Sequence, residues 1–404
     1  MRVLFTAWGW PSHLYALVPL AWACRSAGHD VLLAVPPTIL DQAVHSGLPA
    51  AAVGTDTDAV DMVRGYVLPS VQSGPGGNAP RTGKGPRALR MFLAHAEAMA
   101  PDLVALAREW RPDAVVFEPT AWAGPVAAAA VGVPAIRHLY GVDLLARAAG
   151  MIPVLLEPLA AQAGAPGPVD PAAHLTIDPV PPSLRLSVPS SDPTPPVIPV
   201  RYIPYGGAAA PHAGVPPRDG RPRVCVTWGH TMGRLDPARC LAGPVAAAVA
   251  GADIDVVAVV SAAQAARQGP LPGVTVLVDA PLEWVVADTD LVVAHGGAAT
   301  VLTALRYGVP LLLVPQLPDH AGHAAQVLAA VAGEVLTRDE ATPDRLYAEV
   351  RRLLRDSHVR AGARTLRDEA RAAPSPAELA VRLPELLQTG AALGEARNGS
   401  SCAV

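Results

Sequence analysis

Two histidines stand where an apolar run gives way to a segment of helical spacing. His13 follows the run RVLFTAW, and His295 follows DLVVA. A neutral imidazole at such a junction can take a proton from a hydroxyl group, so His13 is a candidate general base. The alternative is a polar histidine on the surface of a helix start. His13 alone does not decide between them.

The turn after His295 has the features of an anion site. Gly296 and Gly297 let a ligand approach the backbone closely. The predicted helix behind them exposes free N–H groups, and its dipole attracts negative charge. Thr300 adds a hydroxyl one turn later. The stretch therefore predicts a diphosphate cradle, and a plain strand-to-helix turn remains the alternative.

Further polar residues follow the next apolar run, VPLLLVP. Gln316, Asp319 and His320 are suited to hydrogen bonds with hydroxyl groups. Because parallel strands end at one sheet edge, we expect them near His295, with a polyol beside the diphosphate. The alternative for Asp319 is a helix N-cap. In the first half, Glu118 ends the run AVVFEP and could orient His13, or it could be a solvated loop residue.

Several familiar motifs are missing from the sequence. Neither GKS nor GKT follows the turn at His295, GxGxxG is absent, and no acidic residue ends the following strand. P-loop enzymes and hydride-transferring dinucleotide enzymes are thereby disfavoured. No DxD pair follows the turn. We therefore predict no cofactor and no metal, with protein groups alone stabilising a leaving group.

The composition limits the class of protein. A chain of 404 residues suits two domains, and 51% hydrophobic but only 4% aromatic residues suit parallel sheets with aliphatic cores. A net charge of −4 and a pI near 6.3 argue against nucleic acid as a partner. We expect a cytoplasmic protein with no membrane partner, because the start lacks a signal peptide, long apolar spans are absent and the four cysteines show no CxxC spacing.

Strand-like and helix-like runs alternate along both halves. This pattern predicts an α/β fold with two Rossmann-like, doubly wound parallel-sheet domains that face each other across a cleft. We predict helices at residues 13–29, 237–250, 298–308, 320–331, 343–355, 358–372 and 376–387.

Proline and glycine mark the predicted boundaries. Residues 178–223 are proline-dense, which disfavours helices and central strands. We predict domains at residues 1–205 and 222–388, a linker at 206–221 and a flexible tail at 389–404. Residues 65–86 are rich in Gly and Pro, and we expect no regular element there. A substrate lid and simple disorder are equally good interpretations of that segment.

Four separate segments together resemble one known family. They are GWPSHLYALVPLAWACRSAGHDVLLAVPP, RYIPYGG, HGGAAT and PQLPDHAGHAAQV. This combination resembles bacterial natural-product glycosyltransferases of the UDP-glycosyltransferase-like superfamily, which have the GT-B fold. The resemblance runs from about residue 2 to 387 and is closest to enzymes that attach dTDP-deoxysugars to polyketide or aromatic aglycones in antibiotic biosynthesis.

The resemblance implies roles for individual residues. His13 matches the base that deprotonates the acceptor hydroxyl, and Glu118 falls where many members carry a supporting Asp. His295 with Gly296, Gly297 and Thr300 matches the phosphate site. Gln316 and Asp319 match residues that hold donor-sugar hydroxyls, and His320 stands where Gln is common. The remaining donor-site positions implied are Thr231 near the diphosphate and Val278 at the nucleobase, and the acceptor positions predicted are Trp8, Trp10 and Tyr140.

The resemblance implies an inverting transferase that moves a deoxysugar from a dTDP or UDP donor to a hydroxyl of a hydrophobic aglycone. The first domain would bind the acceptor and the second the donor. A homodimer and an activator protein are further partners that the resemblance allows. Two alternatives stay open: a nucleotide-sugar 2-epimerase and a non-catalytic nucleotide-binding partner protein. The Trp-rich start favours a bulky acceptor over the epimerase, and retention of both His13 and His295 disfavours the non-catalytic partner.

Overall fold

The computed structural model describes residues 1–67, 84–187, 195–210 and 214–400. The chain forms two compact units. The first contains Met1–Asp178, Ser187–Val200 and the chain from Pro374 onward, and the second contains Pro179–Leu186 and Arg201–Ala373.

The first unit is built on a parallel sheet. Over the described residues it has seven strands in the order β3-β2-β1-β4-β5-β6-β7. The strands are β1 (Arg2–Thr6), β2 (Asp30–Val35), β3 (Ala50–Ala52), β4 (Ala114–Phe117), β5 (Ala135–His138), β6 (Leu175–Asp178) and β7 (Val197–Pro199). The helices between them are α1 (Pro11–Ser26), α2 (Leu40–His45), α3 (Ala59–Val67), α4 (Lys84–Trp110), α5 (Ala123–Val131) and α6 (Ile152–Ala163).

The second unit repeats this plan. Its parallel sheet has six strands among the described residues, ordered β10-β9-β8-β11-β12-β13. The strands are β8 (Arg223–Thr227), β9 (Asp255–Val260), β10 (Val274–Val278), β11 (Leu291–Ala294), β12 (Leu311–Leu313) and β13 (Gly333–Val335). The helices are α7 (Thr231–Leu235), α8 (Ala242–Val249), α9 (Ala262–Gln268), α10 (Leu282–Val286), α11 (Ala298–Tyr307), α12 (Pro318–Ala329), α13 (Pro343–Leu353) and α14 (Ser357–Ala372), and α15 (Pro376–Ser400) returns to the first unit.

Both sheets reverse their strand order at an inner pair of strands. The reversal lies between β1 and β4 in the first unit and between β8 and β11 in the second. Strands β4, β8 and β11 are buried along their whole length, as apolar runs covered on both faces must be. Ligands of such sheets bind at the carboxyl ends of the strands beside the reversal. The two parallel α/β domains predicted from the alternation are confirmed.

The structure divides the chain at other points than the predicted residues 205, 221 and 388. Helix α15 packs against α1, and His29 Nε2 donates a hydrogen bond of 3.0 Å to the Ala380 carbonyl. Leu379 and Leu383 are buried there, so the chain from Pro374 joins the first unit and not the second. The helical backbone continues to Ser400, into the segment predicted as a tail. Residues 401–404 lie outside the described part of the chain.

Two further local predictions need correction. Helix α3 reaches Val67 and α4 begins at Lys84, so regular structure enters both ends of the segment 65–86 that we expected to be irregular. Its central part, residues 68–83, lies outside the described residues. The single helix predicted at 237–250 is a 3₁₀ turn at Pro237–Arg239 followed by α8, because Cys240 adopts an extended backbone with ψ of 104°.

The proline-dense segment fits at the sheet edge. Strand β7 ends at Pro199 and is the outermost strand, where a missing backbone N–H breaks no ladder.

Cys24, Cys225 and Cys240 are free thiols, and Cys402 lies outside the described residues. Burial raises the pKa of Cys24 and Cys225 to about 12, so both thiols are inert. None of the described helices combines the length and apolar character needed to cross a bilayer.

Candidate active site

The reversal in the first sheet brings His13 and Glu118 together. His13 lies in the first turn of α1, just after β1, and Glu118 directly follows β4. His13 Nδ1 is 3.1 Å from Glu118 Oε2. The carboxylate is fully buried, so it is not the solvated loop residue of the alternative interpretation. The sequence could pair these residues because parallel neighbouring strands share one carboxyl edge.

Four further hydrogen-bond contacts hold the Glu118 carboxylate. Trp8 N–H donates to Oε1 at 3.0 Å, and Thr120 N–H donates to Oε2 at 2.9 Å. The Thr120 hydroxyl lies 2.7 Å from Oε1 and 2.8 Å from Oε2. Burial works to raise the pKa of Glu118, but the charge and hydrogen bond of His13 and the bonds from Thr120 outweigh it, and the pKa falls below its usual value. Glu118 is therefore an anion.

The anion sets the tautomer of His13. A carboxylate only accepts hydrogen bonds, so the Nδ1 of His13 carries the proton in this pair. In the neutral form of the ring Nε2 then holds a lone pair, and the His13 side chain is 14% exposed, which leaves it accessible to a ligand. This arrangement suits a general base whose positive charge, once formed, is stabilised by a buried anion.

Aromatic rings surround this pair. The ring centroid of Tyr140 is 4.4 Å from that of His13, and Trp8 is 5.5 Å away, edge-on. Trp8 stacks on Trp10 with an interplanar angle of 17°. Trp8 and Trp10 are only 3% and 5% exposed, so they form the wall behind the base more than an open surface. The acceptor-binding role predicted for these three rings stays a prediction.

One nearby histidine was not predicted. His95, on α4, accepts a hydrogen bond of 3.1 Å from Gly9 N–H, and its ring centroid is 5.8 Å from that of Trp8. Burial lowers its pKa to about 4, with a smaller opposing effect from Glu118, so His95 is neutral near pH 7. Its position in a long helix, 82 residues after His13 in the sequence, gave no signal of this contact.

The reversal in the second sheet places the ring of His295 against two glycines, Gly229 and Gly297. A Cβ added to Gly297 would lie 2.5 Å from His295 Nε2, and one added to Gly229 would lie 2.9 Å from Cε1. Gly229 follows β8 with φ of +56°, and its carbonyl accepts a 2.7 Å bond from Gln264 Nε2. The imidazole therefore fits only because both neighbours lack side chains. Gly229 was missed as a cradle residue.

The ring of His295 is next to the amino end of α11. Gly297 is the N-cap and supplies no side-chain cap, so the first N–H groups of the helix are left for a ligand. Thr300 is buried one turn inside. Burial and the neighbouring His320 and His323 hold the pKa of His295 well below its usual value, so the ring is neutral.

Two more buried histidines pack here. The ring centroid of His320 is 4.6 Å from that of His295, in an edge-to-face arrangement. His323 Nδ1 donates a 3.1 Å hydrogen bond to the Gly296 carbonyl, which holds a turn whose φ of +92° glycine adopts readily. Burial lowers the pKa of both histidines. His323 was not predicted, although its place three residues after His320 puts both on one helix face.

Gln316 is the most unusual donor-side residue. Both atoms of its side-chain amide are shielded from solvent and have no hydrogen-bond partner among the residues that the structure describes. Buried amides normally have partners, so a ligand is a candidate partner for this group. Asp319 is in the first turn of α12, and the N-cap is Leu317, so Asp319 is not the cap of the alternative interpretation.

The last two donor-side predictions lie at other strand ends of the second unit. Thr231 begins α7 after β8, and Val278 ends β10. Their roles, like those of the other candidate residues, stay predictions. Among the residues that the structure describes, no group of three or more His, Cys, Asp or Glu side chains could hold a metal ion.

Comparison with known proteins identifies the class. The spinosyn rhamnosyltransferase SpnG, solved with thymidine diphosphate, superimposes with a TM-score of 0.78 at 30% identity over 95% of this chain and all of that one. The 10-deoxymethynolide desosaminyltransferase of Streptomyces venezuelae is 32% identical over 96% of this chain and 97% of its own length. The TDP-daunosamine transferase DnrS of Streptomyces peucetius is 33% identical over the same shares.

These likenesses define a glycosyltransferase of the GT-B fold. The family models for the N-terminal and C-terminal domains of erythromycin biosynthesis protein CIII-like proteins match residues 22–229 and 244–386. The chain belongs to this erythromycin biosynthesis protein CIII-like family of bacterial natural-product glycosyltransferases. The family predicted from the four sequence segments is thus confirmed.

Proposed function

We propose that the protein transfers a deoxysugar from a dTDP-sugar, with inversion, to a hydroxyl group of a polyketide-type aglycone. The observation that carries the proposal is the His13–Glu118 pair, a base oriented by a buried anion among aromatic rings. Relatives named for desosamine and daunosamine transfer, and a solved relative holding a spinosyn aglycone, support the substrate classes. Their names favour transfer over 2-epimerisation and over a non-catalytic partner.

The first unit acts on the acceptor in this proposal. His13 Nε2 takes the hydroxyl proton as the acceptor oxygen attacks the anomeric carbon. The imidazolium that forms keeps its Nδ1–H on Glu118, whose negative charge stabilises it in a low-dielectric environment. Tyr140, Trp8 and Trp10 shape the apolar pocket for the aglycone.

The second unit acts on the leaving group. As the bond from the anomeric carbon to oxygen breaks, negative charge builds on the diphosphate. The free N–H groups of α11, the neutral His295 and the Thr300 hydroxyl are hydrogen-bond donors for that charge. We propose that this stabilisation needs no metal, and transfer that persists unchanged in excess EDTA is the expected result.

The sugar and base would occupy the remaining positions. Sugar hydroxyls would bind to the unpartnered amide of Gln316 and to the carboxylate of Asp319. The imidazole of His320 suits a deoxysugar, which lacks one of these hydroxyls. Thr231 would contact the diphosphate and the Val278 backbone the nucleobase. A second copy of the chain and an activator protein are proposed as partners on the family resemblance, and cytoplasmic location on the free cysteines.

The test is a panel of dTDP- and UDP-sugars against an aglycone library with mass detection. Transfer predicts a product whose mass is that of the aglycone plus the sugar minus water, together with free dTDP. An isomerised sugar nucleotide without adduct would support an epimerase instead. Nucleotide binding without any turnover would contradict the proposal and support a partner protein. Turnover by the purified monomer alone would show that neither a second copy of the chain nor an activator protein is required.

A further inference from the structure

The Thr120 hydroxyl touches both members of the His13–Glu118 pair. Thr120 Oγ1 is 3.2 Å from His13 Nδ1, and it contacts both carboxylate oxygens of Glu118 at 2.7 and 2.8 Å. Thr120 is itself 1% exposed. Nothing in the sequence marked it, because a threonine two residues after a strand usually belongs to a turn.

Proton counting defines what this hydroxyl does. It has one hydrogen, and the Glu118 carboxylate can only accept, so the Thr120 O–H donates to Glu118. Its oxygen then has lone pairs free to accept from His13 Nδ1–H. The imidazole N–H is therefore shared between Glu118 Oε2 at 3.1 Å and Thr120 Oγ1 at 3.2 Å.

A glutamate in this position needs such a restraint. Its side chain has one more rotatable bond than that of aspartate. The carboxylate lies in a fully buried site, where a misoriented side chain would leave a buried charge without hydrogen-bond partners. Trp8 N–H holds Oε1, and Thr120 N–H holds Oε2. The Thr120 hydroxyl is the one group that binds the carboxylate and the imidazole at once among their described hydrogen-bond contacts.

We propose that Thr120 is a positioning residue for transfer: its hydroxyl locks the Glu118 carboxylate and the His13 ring into one hydrogen-bonded triad. The inference deepens the proposed function, since turnover is the quantity it affects. Thr120 touches neither substrate in this assignment. Its removal therefore changes how well His13 is oriented, and it leaves the binding of nucleotide unchanged.

The test compares Thr120→Val, which keeps shape and removes the hydroxyl, with Thr120→Ser, which keeps the hydroxyl. Loss of a hydrogen bond to a charged group predicts a fall in kcat of about 10- to 100-fold for Thr120→Val. The donor KM and the dTDP Kd stay at wild-type values, and Thr120→Ser restores most of the turnover. Thr6→Val is the matched control, because Thr6 is equally buried and its hydroxyl has no partner in the described structure.

Each outcome separates this inference from the proposed function. If wild type transfers sugar and His13→Ala is impaired, but Thr120→Val matches wild type, Thr120 is not a positioning residue. A loss that Thr120→Ser shares in full, or that appears as a change in KM alone, would equally overturn it. Thermal unfolding of each variant identifies any loss due to misfolding. No transfer by wild type would instead count against the proposed function.

Discussion

Substitution of Gly297 by alanine would displace the His295 ring without touching it chemically. The Gly297 backbone, with φ of −64° and ψ of 141°, accepts alanine without strain, so the effect is purely steric. The new Cβ would lie 2.5 Å from Nε2, while ordinary contacts begin at 3.4 Å. The ring must therefore retreat by about 1 Å.

A shift of this size has a calculable consequence. Misplacement of a reacting or binding group by about 1 Å can cost about 10²-fold in turnover. We expect kcat/KM to fall by about that factor and dTDP to bind about 10-fold more weakly, as calorimetry would measure. Gly167→Ala is the control, because an added Cβ there meets no atom within 4 Å.

A double-mutant cycle shows whether Gly297→Ala acts through the His295 ring. If Gly297→Ala acts through the ring, the same substitution in a His295→Ala background costs nothing further, because the group it collides with is gone. Equal losses in both backgrounds would show that the alanine disturbs α11 itself. Wild-type dTDP affinity in the single variant would refute the role of the ring in the cradle.

Three further predictions concern stability and donor binding. Arg223 Nε lies 2.7 Å from Asp255 Oδ2 in a buried ion pair. Arg223→Ala leaves the Asp255 carboxylate without this partner and should lower the free energy of unfolding, measured in urea, by about 3–5 kcal/mol. A loss under about 1 kcal/mol would contradict this prediction. Burial lowers the pKa of His138 to about 4, from an ordinary value of 6.5. The neutral ring's contribution to the free energy of unfolding is therefore complete above pH 6.5 and is lost as the pH falls towards 4. His138→Gln should make that decline shallower by about 1 kcal/mol per pH unit, and an unchanged slope would count against this prediction. Gln316→Leu removes a buried amide that has no partner among the described residues, and should raise the free energy of unfolding by about 1–3 kcal/mol. The same variant should raise the donor KM and leave dTDP affinity unchanged. Lower stability would show that the amide already has a partner.

The convergence of the candidate site residues was predictable because it depends on strand order. Polar residues at the carboxyl ends of inner parallel strands converge by geometry, which is why His13 met Glu118 and His295 lies beside the α11 turn. What the sequence could not show was the set of contacts made across long separations. His95 reaches Gly9, and Thr120 reaches His13, only because α1, α4 and β4 pack in one way.

The alternation of strands and helices predicted the fold of the two units, but it did not predict strand β6 or the unit that helix α15 joins. Helix α15 follows the second unit in the sequence, yet it is buried against α1, and periodicity does not reveal which unit covers an apolar face. Strand β6, at Leu175–Asp178, was not predicted because it adjoins the proline-dense segment. Local pattern specifies an element, while tertiary packing specifies where it goes.

Paired measurements of kcat and dTDP affinity on His13→Ala and His295→Ala would show whether each histidine serves one half of the reaction. We expect His13→Ala to lose about 10²- to 10⁴-fold in kcat with unchanged dTDP affinity, because the base acts only on the acceptor. His295→Ala should bind dTDP more weakly. Full turnover by His13→Ala, or unchanged dTDP affinity in His295→Ala, would contradict the assignment of one histidine to each half of the reaction.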